Sequence, residues 1–292
     1  MLIAFAALIV ASAARADDID GALSFLARFL LAILAGLVLA HHSLDGALIL
    51  GAISRALVEV AAHVVQGPAA TAWGSKLGDA GSYHLFLAGT ALPIAVIAAA
   101  RPAVQGWLGA AAGAVLLGLT RSRAALFSLG IGLVTLALYR LRRGQTGPAR
   151  PSRALLAAAG IASVAVAVLI AVLTWGDAIR TAEPRLAYAR VALAATARHP
   201  WGGLGWDGFA EEARESGIDP PALDPHNLFL DIAAGAGIPA LLSFCGLVWS
   251  LRTRTPSFAA VCAAMCYSMF VSIYLDWPVF WLLLFSGGTK DG

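Results

Sequence analysis

Apolar runs of membrane-crossing length, separated by short polar breaks, leave this chain few folds to choose from. Ala22–Ala40, His84–Ala100, Ala103–Leu119, Ala124–Tyr139 and Ala154–Thr174 each approach the ~20 residues that a bilayer-crossing helix needs. Hydrophobic residues make up 60% of the 292 positions and charged residues only 13%, against about 25% charged in a soluble domain. Inside hydrocarbon a backbone must pair its own amides, which a helix does within one segment. The expected fold is all-α: a polytopic helical membrane protein with about ten transmembrane segments. They fall near residues 1–16, 21–40, 44–66, 84–100, 103–119, 123–140, 153–174, 228–250, 256–274 and 277–287.

One long polar stretch breaks the pattern. The chain therefore divides into helices over 1–174, a loop over 175–227 and further helices over 228–292. A structured loop of that length is uncommon unless it carries function. Sidedness follows from Arg140, Arg142, Arg143, Arg150 and Arg153, which share a short segment with no acid. Such a segment stays in the cytoplasm, so 175–227 faces the periplasm or the cell exterior.

Several features carry bland readings. Cys245, Cys262 and Cys266 stand in apolar runs without CxxC spacing, so neither disulfides nor a thiolate metal site is expected. Asp18-Ile19-Asp20 forms a DxD, read here as polar punctuation, and no metal or other cofactor is expected. Met1–Ala16 ends in Ala14-Arg15-Ala16 like a secretory leader, but no basic residue precedes its apolar run. A first membrane helix is the expectation. Arg55, Glu59 and His63 recur every four residues on one helical face; they fit either a structural ion pair or an intramembrane functional row. Arg180, Arg198 and Arg214 are read as balancing nearby acids.

Other features point to chemistry. Arg121 and Arg123 occupy a tight turn with no acid nearby. Guanidinium groups there suit a phosphate or diphosphate at headgroup depth, whose oxygens a planar fork can bind in pairs. In the loop, Pro184–Ala197 reads as a helix, with Leu186, Ala189 and Leu193 at helical spacing and Pro184 at its start. Its apolar stripe beside Arg185 and Arg190 would let it lie on a membrane surface. Gly202, Gly203 and Gly205 then mark a turn.

Taken in order, Arg185, Tyr188, Ala192-Leu193, His199-Pro200, Gly203-Leu204-Gly205, Phe209, His226-Asn227 and Ala236-Gly237-Ile238-Pro239 form a pattern. It resembles the O-antigen ligase and polymerase superfamily, membrane glycosyltransferases that use polyprenyl-diphosphate sugar donors. Ser122-Arg123-Ala124, the Trp73–Pro93 segment with Lys76, and Asp276 before the last apolar run extend the resemblance to roughly residues 70–287. Two positions depart from the family pattern: Ala124 stands where glycine is usual, and Lys76 where arginine is common.

The resemblance implies a multi-pass protein of a bacterial inner membrane and a metal-independent, inverting transfer of a glycan from a polyprenyl diphosphate to an acceptor hydroxyl, at the periplasmic face. The acceptor would be lipid A-core for a ligase or a growing glycan for a polymerase; ligase is the expectation. It assigns His226 as the base that takes the acceptor proton. A histidine beside a helix's first turn is suited to that task, with Asn227 or Asp224 capping the helix. It assigns Arg123, Arg185 and, more weakly, Arg190 to the leaving diphosphate, and Lys76, Asn227 and Asp276 to substrate binding. His199 is left structural. The competing reading is a transporter or flippase of lipid-linked glycans, resting on Arg55, Glu59 and His63. Against it, no inverted repeat or pair of broken helices is visible.

Overall fold

The structure, a computed structural model, describes residues 2–16, 19–40, 83–100, 108–114, 117, 122–143, 153–173, 175–205, 208–218, 224–250, 257–270, 280, 281 and 285. All regular structure among them is helical: α1 Leu2–Ala13, α2 Ile19–Ala40, α3 Tyr83–Ala100, α4 Arg123–Arg143, α5 Arg153–Leu173, α6 Trp175–Arg198, α7 Gly208–Glu215, α8 Leu228–Ala236, α9 Ile238–Ser250 and α10 Ser257–Ser268. Lys76, Arg121, Asp276 and the row Arg55, Glu59 and His63 lie outside the described residues. The chain falls into two units, one of 1–36, 174–253 and 268–281, the other of 37–173, 254–267 and 282–292.

In the first unit, α1 is a packed element. Phe5, Ile9, Ser12 and Ala13 are its buried residues, at the spacing of one helical face. Phe5 meets Phe29 of α2, Phe244 of α9 and Trp281, with ring centroids 6.2, 5.3 and 6.3 Å apart. Each such contact adds about 0.5–1.5 kcal/mol beyond area burial.

Two boundaries differ from expectation. The loop helix does not begin at Pro184; α6 starts at Trp175 and holds Pro184 inside it. Proline there forgoes one backbone bond, which a 24-residue helix packed along one face can absorb. The run 228–250, expected as one span, breaks into α8 and α9 at Gly237, where φ is 86°. Pro239 suits the first turn of α9, and the Ile238 amide leaves the helical ladder to donate to Pro200 O at 2.8 Å.

In the second unit, α4 and α5 cross at glycines. A Cβ added at Gly130 would sit 2.7 Å from Gly160 O, and one at Gly160 would sit 2.9 Å from Gly130 O. Small residues let helices approach this closely without water to drive them together. Buried Arg140 donates to Ala99 O, at the C-terminal end of α3, at 3.3 Å. Two of the described helices are long and apolar enough to cross a membrane, Arg123–Leu141 and Ala154–Leu173. The second leaves Ile161, Leu169 and Leu173 exposed, the outward apolar surface that lipid would cover.

Candidate active site

Three helices of the first unit build a scaffold beside one histidine. Val191, Ala192 and Ala195 of α6, Phe209 and Ala213 of α7, and Ala234 of α8 form a buried cluster. Tyr188, Leu204, Ile218 and Leu230 pack against it. The end of α6 is tied to α7 by the Arg198–Glu212 ion pair, and Arg214 pairs with Glu211 within α7. Both arginines thus balance neighbouring acids, as expected.

The glycine turn clasps the far end of α8. Leu204 N–H donates to Ala234 O at 2.7 Å and Gly205 N–H to Gly235 O at 3.0 Å. Those carbonyls lie in the helix's last turn, where intrahelical amides run out. Gly203 takes φ 65°, and a Cβ there would come within 2.4 Å of the Gly235 carbonyl. No side chain fits this approach. From α1, the Ser12 hydroxyl donates to Gly235 O at 2.6 Å, and the Arg15 guanidinium donates to Gly202 O.

The near end of α8 holds the histidine. Asn227 Oδ1 accepts from Phe229 N–H at 3.0 Å and Leu230 N–H at 3.2 Å, the geometry of an N-cap. Its Nδ2 donates to Met269 O at 3.1 Å. Both ends of this amide are engaged within the protein, so Asn227 fixes the turn that carries His226.

His226 has φ 53°, the sole positive φ at a non-glycine among the described residues. A left-handed residue with a Cβ costs on the order of 1 kcal/mol, and such strain concentrates at working sites. Asp224 Oδ1 accepts from the His226 backbone N–H at 2.6 Å and lies 2.9 Å from its Nδ1. The Tyr188 ring meets the imidazole edge-on, with centroids 5.8 Å apart and planes at 86°, and rests in turn on Phe209 at 6.5 Å. The His226 side chain remains 43% exposed. It is held yet open to a bound molecule.

The other expected residues that the structure describes lie on α6 and α4. Arg185 is half-buried on α6, three residues before Tyr188 and so on the same side of the helix. Arg190 lies about 200° around the helix from Tyr188, in an exposed groove with Ile179, Ala182, Glu183, Leu186 and Ala187. It does not join the histidine's side. Arg123 is the first residue of α4, in the second unit. The Ser122 hydroxyl accepts from Ala125 N–H at 3.2 Å and so caps that helix.

Asp224, expected from the sequence only as a possible cap of α8, instead contacts the His226 backbone and ring. Its signal was present: an aspartate that bonds the backbone N–H two residues on is an Asx turn, and proline between favours it. Ser12 and Arg15 had no such signal, since their partners lie 223 and 187 residues away.

The O-antigen ligase family matches residues 108–245. The match takes in Ser122-Arg123, Arg185, Tyr188, Asp224 and His226-Asn227 and stops short of Asp276; Lys76 precedes it. No curated protein and no solved structure matches the chain. The family match and the apolar helices mark a membrane protein with an enzymatic role in surface-polysaccharide biosynthesis, and the match supports its membership of the O-antigen ligase and polymerase superfamily.

Proposed function

We propose that the protein transfers a glycan from a polyprenyl diphosphate to an acceptor hydroxyl at the outer face of a bacterial inner membrane, as an O-antigen ligase. The observation that carries this reading is His226, held in a left-handed turn between Asp224 and Tyr188 and still accessible, within the family-matched segment.

Two problems limit such a reaction. The acceptor hydroxyl must shed its proton as its oxygen attacks the anomeric carbon; the imidazole takes that proton. The bond from the anomeric carbon to the phosphate oxygen breaks, and polyprenyl diphosphate departs with an added negative charge. Arg185, on the same side of α6 as Tyr188, supplies fixed positive charge for it, and the family resemblance gives Arg123 the same role. A single displacement of this kind inverts the anomeric configuration. A positioned general base is worth about 10²–10⁴-fold, or about 3–5 kcal/mol of barrier.

The test is surface-polysaccharide analysis of a deletion strain complemented with wild type or His226→Asn. Asparagine tolerates the left-handed backbone and removes the base. The deletion should lose capped lipopolysaccharide and accumulate long lipid-linked chains, and His226→Asn should fail to restore it. Unchanged glycan in the deletion overturns the function. Full rescue by His226→Asn overturns the site. Short single-unit chains in place of long ones identify a polymerase, which the same residues would serve.

A further inference from the structure

We propose that Asp224 is a positioning residue for the transfer: it holds His226 through Nδ1, so that Nε2 is the atom that takes the acceptor proton. This rests on the reading of His226 as the base and adds what fixes it.

One carboxylate oxygen governs both the backbone and the ring. Asp224 Oδ1 is 2.6 Å from the His226 amide nitrogen and 2.9 Å from Nδ1. The first contact closes the turn in which His226 reaches φ 53°. The second fixes the imidazole's rotation. An ionised carboxylate can only accept, so Nδ1 carries the hydrogen in that contact and Nε2 is left to accept. Tyr188 stands edge-on to the ring at 5.8 Å and hinders it from swinging out of this pose. As Nε2 takes the proton the ring becomes a cation, and the Asp224 carboxylate already faces it. The arrangement is the base-and-orienter pair that recurs on unrelated folds where a histidine deprotonates a hydroxyl.

Asp224 also has a purely structural role open to it, as the acceptor that closes the turn, and the test must separate the two. Asp224→Asn keeps an oxygen for the backbone amide and Nδ1–H but drops the charge. The full-length protein is assayed in membranes with a polyprenyl-diphosphate-linked oligosaccharide and a lipopolysaccharide core acceptor. Asp224→Asn should lower kcat by at least about 10-fold and up to about 10⁴-fold, the loss when the carboxylate behind a catalytic histidine becomes an amide, with KM for both substrates within about twofold. Combining Asp224→Asn with His226→Asn should cost no more than His226→Asn alone, because a residue that acts through His226 has nothing left to act on.

Full kcat in Asp224→Asn would overturn the proposal, as would additive losses in the double variant. If the wild type itself transfers nothing, the reading of the reaction fails instead. An active wild type, an inactive His226→Asn and a fully active Asp224→Asn would leave that reading standing and remove only Asp224 from it.

Discussion

Arg185 and Arg190 share one helix and one charge, yet α6 turns them to different sides. Arg185 lies with Tyr188, and Arg190 lines the outer groove. Hydrogen bonds to charged groups contribute about 1.5–3 kcal/mol, so Arg185→Ala should lower transfer at limiting donor by about 10–100-fold. Arg190→Ala should stay within about threefold of wild type, since nothing at the histidine depends on it. Initial rates against donor concentration check this, and equal losses would place both guanidinium groups on the diphosphate. At this scale the sequence singled out residues better than it foresaw their partners. His226-Asn227 was legible as a pair, but only the geometry shows that Asn227's amide is spent on Phe229, Leu230 and Met269. Likewise the Asp-Pro-His run suggested a cap, whereas the Asp224 carboxylate is turned back onto the imidazole. Side-chain partnerships of this kind depend on which way a backbone turns, and composition does not encode that.

Among the elements, apolar periodicity located helices well and their ends less well. Residues 228–250 are apolar on both sides of Gly237, so hydropathy alone sees one span. The break depends on Pro200 O taking the Ile238 amide, a contact with a residue far back in the chain. Pro184 misled in the opposite direction, since a proline that often opens a helix here sits within one. The Gly203–Gly235 approach gives this scale its prediction. Gly203→Ala meets both a left-handed φ and a carbonyl within 2.4 Å of the new Cβ, so it should cost more than ~1 kcal/mol and lower the thermal midpoint by at least ~2–4 °C. Gly176→Ala, with nothing within 4 Å of its Cβ inside α6, should be neutral or mildly stabilising. Thermal unfolding of the purified protein in detergent compares them. Equal midpoints would mean that the turn yields where the packing says it cannot.

For the whole molecule, the all-helical character and the membrane class were plain from the scarcity of charge, and the family from the order of motifs in the loop. Sidedness rests on the arginines from the end of α4 to the start of α5, and it is open to direct measurement. In a background without Cys245, Cys262 and Cys266, an impermeant maleimide should label Ser216→Cys on intact spheroplasts. It should reach Thr146→Cys only after permeabilisation. The reverse pattern would put the proposed chemistry on the cytoplasmic side. The tie from Ser12 to Gly235 spans 223 residues, which has a consequence for biogenesis. At ~5–20 residues per second, the ribosome delivers the hydroxyl roughly 10–45 s before its acceptor exists. Helix α1 must therefore wait for that acceptor, and longer still for Phe244 and Trp281, which also pack on Phe5. A nascent chain arrested before Ala234 would hold Asp224 and His226 and lack the clasp that steadies the helix behind them, so the ordering of that turn comes late in synthesis.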